Sequence, residues 1–316
     1  MRDIAARIES ALDRPLGGDD RIAVAVSGGP DSVALLLIAA TGFPGRVAAL
    51  TVDHGLRAGA AAEAAAVARQ CAAAGIPHAI LAWLGDKPSA NLQANARAAR
   101  YRLMADWCVA HGFGILLTAH HADDQAETLL MRLARGSGNA GLAGIRARRE
   151  LGQGVVLLRP LLGLRRADLA AIAAASGWDI ADDPSNRDLR HDRTAARQLL
   201  ANTPWLEVQR IADAAAHAAA AEAALAWTAD FAWAGRAAAR NGMVTLDTAG
   251  LPAELVFRLT TRAIVAIAPA AVPRGPDLAR LITRLAAGGS GSIAGVAARG
   301  GAVWRFRIAA PRRPAG

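Results

Sequence analysis

Between residues 21 and 176 short apolar runs alternate with longer helical ones, and this alternation restricts the fold of the 316-residue chain more than any other feature. Strand-like runs at 21–27, 47–52, 78–83, 114–119 and 155–158 are each followed by a helical pattern, at 31–40, 60–74, 91–110, 122–134 and 165–176. Runs rich in Val, Ile, Leu and Ala are what interior parallel strands need, because both of their faces are covered. The expected fold class is therefore α/β, a parallel sheet with helices on both faces. The longest apolar run, Val33 to Ala40, is far short of the ~20 residues that cross a bilayer. The first residues, MRDIAARIESALDR, carry acids in their early turns, unlike a secretory or transit peptide. A soluble, cytoplasmic protein with no membrane partner is expected.

Near Asn202-Thr203-Pro204 the pattern changes. Residues 205–240 form a long Ala-rich helical stretch, followed by a strand-like 243–246, helical 254–267 and 276–287, and a strand-like 302–308. The sequence thus predicts a first domain over 1–204, then a helical linker and a small α+β domain over 205–316. Of the net charge of +9, the second part holds +6, from 13 basic and 7 acidic residues. An excess of this kind suits a polyanionic partner and also fits an ordinary solvated surface. Its arginine pairs, Arg258 with Arg262, Arg280 with Arg284 and Arg305 with Arg307, are candidate RNA-phosphate contacts. Lys87 is the only lysine, which rules out a Walker A loop. Cys71 and Cys108 lie far apart in helical runs, so they read as packing residues and not as a metal or redox pair.

The first strand ends in Ser27-Gly28-Gly29-Pro30-Asp31-Ser32, and a helix follows at once. Two glycines allow a tight turn, and the helix N-terminus behind them offers amides and partial positive charge to an anion. Asp31 would repel a bare phosphate, so its place in the loop suggests magnesium or a basic group nearby. Taken alone, a Gly-Gly turn capped by Asp31 or Ser32 is equally ordinary. Asp53-His54-Gly55-Leu56-Arg57 follows the second strand, and Asn91–Tyr101 sets Arg97, Arg100 and Tyr101 about one turn apart on a helix.

The most acidic block is Ala119-His120-His121-Ala122-Asp123-Asp124-Gln125-Ala126-Glu127-Thr128, running from a strand end into a helix. Acids in a first helical turn can serve only as dipole partners. Three carboxylates beside two histidines exceed that need and suit magnesium or a cationic substrate. Arg132 and Arg135 flank a Gly136-Ser137-Gly138 loop fit for phosphate.

In this order and spacing, SGGPDS, DHGLR, NLQANARAARY, AHHADDQAET and RGSG resemble the tRNA(Ile)-lysidine synthetase family of N-type ATP pyrophosphatases, the PP-loop superfamily. The resemblance runs through Arg159-Pro160-Leu161, Asp168 and Asp183-Pro184-Ser185-Asn186 to Arg193 and Arg197, covering about residues 21–200. Thr194 stands where the family usually has Asn. Beyond Pro204 the likeness is one of architecture, ending before the further C-terminal domain of longer members. The resemblance implies an adenine nucleotide alpha hydrolase-like fold. It also implies a ligase that adenylates the wobble cytidine of CAU-anticodon tRNA(Ile) with ATP and magnesium, then joins L-lysine to it, releasing AMP and pyrophosphate. On that basis Ser27, Gly28, Gly29, Pro30, Asp31 and Ser32 are expected to bind ATP, with Asp31 holding magnesium. Asp31, Asp53, His54 and His120 are catalytic or metal candidates, and Asp123, Asp124 and Glu127 are candidates for lysine. Arg57, Arg97, Arg100, Arg132, Arg135, Arg193 and Arg197 are candidates for phosphate of ATP or tRNA. One carboxylate or His120 is expected to act as base, and a homodimer is left open. The alternatives are a PP-loop tRNA thiolase, a small-molecule amidotransferase and a non-catalytic nucleotide- or RNA-binding module.

Overall fold

The computed structural model describes residues 4–55, 59–85, 91–181 and 192–310. The chain forms two compact units, Met1–Ala219 and Ala220–Gly316. In the first, α1 (Ile4–Leu12) leads into β1 (Ile22–Ala25), α2 (Pro30–Gly42), β2 (Val47–Asp53), α3 (Ala60–Ala73) and β3 (His78–Ala82). Next come α4 (Leu92–His111), β4 (Ile115–Leu117), α5 (Ala122–Ala134) and the single turn α6 (Asn139–Leu142). The unit continues with β5 (Arg148–Gly152), β6 (Val155–Leu158), α7 (Arg166–Ala175) and α8 (Asp192–Asn202). The helix α9 (Val208–Arg236) carries the division between the units within its length.

Six strands form one sheet in the order β3-β2-β1-β4-β6-β5, parallel except for β5, which pairs antiparallel with β6. Alternate residues of each inner strand enter opposite cores. Ile22, Val24, Ile115 and Leu117 pack with α1, α2, α3 and α7, while Ala23, Leu116 and Leu157 pack with Tyr101, Met104 and Cys108 of α4. Removing any of these leucines to alanine costs about 2–5 kcal/mol. Cys71 and Cys108 are buried in the two different cores, and burial pushes their thiols up to about 11 and about 12.

The sheet is thus mostly, not wholly, parallel. The strand β5 escapes the sequence pattern because it is a polar edge strand, Arg-Arg-Glu-Leu-Gly, four of whose five residues are exposed.

The second unit adds β7 (Ala237–Arg240), β8 (Met243–Leu246), α10 (Ala253–Ile267), α11 (Gly275–Ala286), β9 (Ser290–Ile293), β10 (Val296–Arg299) and β11 (Trp304–Ile308). Its antiparallel sheet has the order β7-β8-β11-β10-β9. Leu255, Leu259, Ile264, Leu278, Leu281 and Leu285 of the helices pack against Val244, Leu246, Val296, Trp304 and Phe306 of the strands. One face of the sheet is consumed in this core.

Candidate active site

The strands β1 and β4 lie side by side, yet the chain leaves them in opposite directions, toward β2 on one side and β6 on the other. Loops at their carboxyl ends therefore part and leave a crevice, where open α/β sheets bind ligands. SGGPDS follows β1 and AHHADD follows β4, so the two most distinctive motifs of the sequence meet there.

The first loop is fixed from inside. The Ser27 amide donates to Ser32 Oγ at 3.1 Å, and that hydroxyl donates to the Gly29 carbonyl at 2.9 Å. Ser32 is buried while Ser27 is exposed. Gly28 has φ +85°, its carbonyl accepts from the Ala181 amide at 3.0 Å, and a Cβ there would come 3.3 Å from Val67. Only glycine suits that position. Pro30 opens α2, whose first-turn amides have no acceptor inside the helix and remain available to an anion.

His121 is the hub of the second motif. As the N-cap of α5 it has extended backbone (φ −130°, ψ −178°), and its ring is 3% exposed. Its Nε2 lies 3.5 Å from Asp31 Oδ2 and 3.5 Å from Asp124 Oδ2, and its Nδ1 lies 3.6 Å from Asp123 Oδ2. Burial opposes a charge on this ring, but the carboxylates of Asp123, Asp31 and Asp124 around it outweigh that and raise its pKa to about 9. The imidazolium form donates from both nitrogens, giving up the long 3.4 Å contact from the Asp124 amide to Nδ1. His120 is the opposite case. Burial, then Arg159, Arg97 and Arg193, push its pKa down to about 3, and Thr118 Oγ1 sits 3.1 Å from its Nδ1. A ring so weakly basic takes no proton from an ammonium ion at neutral pH.

The three carboxylates differ in their partners. Asp123 accepts from Arg165 at 3.1 and 3.2 Å and from the Arg166 amide at 2.8 Å. Despite its burial, His121 and Arg165 hold Asp123 well below the usual carboxylate range. Glu127, 2% exposed, accepts from Arg197 Nε at 2.8 Å through Oε1. Arg193 Nε lies 3.1 Å from its Oε2, but out of line, so that oxygen has no hydrogen bond. Asp124 Oδ2 accepts the His121 amide at 3.1 Å, and its Oδ1 has Arg193 at 3.8 Å.

Among the described residues no group of three or more His, Cys, Asp or Glu is disposed to hold a metal ion. Magnesium, however, takes one or two carboxylates together with phosphates and water. Asp31 suits that role: its Oδ1 is buried in the SGGPDS loop without a hydrogen-bond partner.

The remaining expected residues fall outside this cluster. Asp53 Oδ1 accepts from the Gly55 amide at 2.8 Å, and Arg100 Nε donates to His54 Nε2 at 3.2 Å. Arg97 stands over the Tyr101 ring at 5.2 Å, beside a groove of about 630 Å³ shared with Arg149 and Glu150. Arg132 donates to the Gly141 and Gly144 carbonyls at 2.7 and 2.8 Å, so it braces the loop that was expected to hold phosphate. Arg135 pairs with Asp192 on the surface. Arg57 and Asp183–Asn186 lie outside the described residues. The residue that sequence reasoning passed over is His121, since two adjacent histidines look alike until the N-cap geometry aims one inward.

The PP-loop domain family matches residues 2–203. A tRNA(Ile)-lysidine synthase of Zymomonas mobilis subsp. mobilis is 45% identical over 312 residues, 98% of this chain and 94% of its own length. The chain belongs to the tRNA(Ile)-lysidine synthase family. Another member, from Novosphingobium aromaticivorans, is 45% identical over 93% of this chain and 90% of its own. Among solved structures, the U34-tRNA thiolase NcsA of Methanococcus maripaludis superposes with a TM-score of 0.53 at 16% identity. It covers 67% of this chain and 78% of its own, a likeness of fold. Within the lysidine synthase family, the paired loops of the crevice are where this chain places its most distinctive residues.

Proposed function

We propose that the chain joins L-lysine to the wobble cytidine of CAU-anticodon tRNA(Ile). The cytosine 2-oxygen attacks the α-phosphorus of ATP and pyrophosphate leaves. The lysine amine then attacks carbon 2, and AMP leaves with the oxygen. The observation that carries this reading is the meeting of the phosphate loop with an acid-rich helix start around His121, in a chain of this family.

Ser27, the loop amides and the N-terminus of α2 hold the ATP phosphates. Asp31 would hold magnesium, which supplies charge neutralisation on the phosphates and orients them for in-line attack. Asp124 and Glu127 receive the lysine ammonium groups, and Arg193 and Arg197 hold the Glu127 side chain in place. Asp123 acts as a positioning residue, because the Arg165 guanidinium, the Arg166 backbone amide and His121 already engage its carboxylate. A homodimer stays a proposal for solution measurement.

The thiolase alternative needs accessible sulfur. Cys71 and Cys108 are buried on opposite faces of the sheet with thiols held protonated, which favours the lysine reading. The test is mass analysis of tRNA(Ile) digests after incubation with ATP and isotopically labelled lysine. Label on the wobble cytidine is expected, and sulfur incorporation or an unmodified cytidine would contradict the reading.

A further inference from the structure

The second half of α9 has two faces of different character. One enters the core of the second unit through Ala229, with Ala232 and Trp233 packed beside it, and Glu222 is engaged by Arg258 at 2.7 Å. The other presents Ala220, Ala224, Trp227 and Phe231, all exposed, at spacings of four, three and four residues. At about 100° per residue these four lie within about 60° of arc, pointing directly away from Ala229. Such spacing is the seam of a helix pair.

Trp227 is 70% and Phe231 74% exposed, and their rings stack with centroids 6.1 Å apart and planes 13° from parallel. Apolar side chains scattered singly over a surface are ordinary, but two adjoining rings continued by alanines make a patch. Residues 220–235 hold two charges, Glu222 and Asp230, and Arg258 and Arg262 engage them.

We propose that this seam is an interface with a second copy of the chain, the two α9 helices lying antiparallel about a two-fold axis between residues 225 and 226. That axis sets Ala220 of one copy opposite Phe231 of the other, and Ala224 opposite Trp227. Large then meets small at every layer, which is what close-packed helices need. A parallel pair would set each residue opposite itself, ring on ring at two layers and alanine on alanine at the other two, with voids between axes held apart. One patch serves both copies, so the contact closes at two chains.

An unpaired RNA strand is a poorer occupant. Aromatic platforms for bases sit in positively charged grooves, and residues 220–235 contain no arginine or lysine. With about 150–250 Å² for each aromatic side chain, four rings at this exposure and the alanines between them remove about 1,000 Å², the lower edge of specific interfaces. Association in the micromolar range follows, with little salt dependence because no ion pair crosses the seam. The inference supplies a surface for the homodimer and is independent of the reaction proposed above, since no crevice residue takes part.

The experiment is sedimentation equilibrium of the full-length chain without tRNA, from about 1 to about 100 µM, where a micromolar dimer forms. The wild type is expected to pass from monomer to dimer across that range. Trp227→Ala with Phe231→Ala is expected to raise the dissociation constant about 30-fold or more, and Trp205→Ala, a similarly exposed ring outside the seam, by less than about twofold. Ala224→Trp alone sets ring against ring and is expected to dissociate the dimer as strongly. Joined to Trp227→Ala it restores large against small, and association is expected to return to within about threefold of the wild type, a rescue that a merely sticky surface would not give. Thermal midpoints check that each variant is folded. A wild type that stays monomeric at the highest concentration would overturn the interface, as would undiminished dimerisation of the double alanine variant or a swap that fails to rescue. A monomeric wild type whose tRNA affinity falls in the double alanine variant would assign the rings to RNA instead.

Discussion

The crevice between β1 and β4 and the open sheet face of the second unit are both rich in charge, and they use it in opposite ways. In the crevice nearly every charge has a counterpart within the chain: Asp123 with Arg165, Glu127 with Arg197, His121 with three aspartates. On the sheet face Arg240, Arg299, Arg305 and Arg307 stand exposed, and the strands carry no carboxylate. A matched network holds groups still at a fixed place, which suits chemistry on a small reacting centre. An unmatched array keeps its attraction for an outside polyanion. Net charge alone cannot distinguish the two, because three helix arginines, Arg258, Arg262 and Arg280, count toward the same excess and are already paired.

The sharpest break of this contrast is Asp31→Asn. Its Oδ1 has no hydrogen bond to lose and its Oδ2 only the 3.5 Å contact with His121, so the fold is expected to survive while turnover falls at least about 100-fold, the scale seen when a charged transition-state contact is removed. Pyrophosphate release and a thermal midpoint measured on the same sample check both halves. A folded variant with near-normal turnover would remove Asp31 from the phosphate site.

Protonation of His121 tests whether the network is matched. Its folded pKa of about 9 lies above the unfolded value near 6.5. The stabilisation is therefore fully present below pH 6.5 and is lost as pH rises through 9, amounting to about 3 kcal/mol at most. Unfolding in metal-free buffer should show the first unit weakening across that window, and His121→Gln should flatten the profile. A slope already flat in the wild type would mean the ring is neutral.

Glu127→Gln comes next. It leaves Arg193 and Arg197, 44% and 34% exposed, facing a neutral amide. Losing one partner of a buried pair costs about 3–5 kcal/mol, and solvent access to the arginines reduces this to about 2. A lower thermal midpoint and a higher lysine requirement are expected together. A stability loss with unchanged lysine dependence would leave Glu127 a purely structural anchor.

The smallest effect belongs to the thiols. Joint replacement of Cys71 and Cys108 by alanine should cost stability through lost packing, with tRNA modification retained per folded molecule. Loss of modification in the folded double variant would revive sulfur chemistry.

How much of this was legible in the sequence follows from burial. The interior strands β1, β2, β4 and β6 announce themselves because both faces are packed, and α2 because Val33, Leu35 and Leu36 are all buried. The edge and outer strands β5, β7, β9 and β10 carry Arg, Ala, Gly and Ser, whose presence depends on strand pairing and not on a hydrophobic pattern. The SGGPDS loop could be singled out because its six residues are adjacent in the sequence. The division of labour between His120 and His121 could not, because it depends on which ring turns toward aspartates contributed by two separate loops. Arg132 shows the same limit, since its carbonyl partners lie nine and twelve residues away around a folded loop.

The fate of ATP in the presence of both other substrates tests the crevice most directly. With CAU-anticodon tRNA(Ile), L-lysine and ATP labelled at the α- and γ-phosphates, separation of the products should give AMP and pyrophosphate, one of each for every lysine joined. The same label should stay in ATP when the tRNA is withheld. Label appearing as ADP and orthophosphate would contradict the assignment of the crevice.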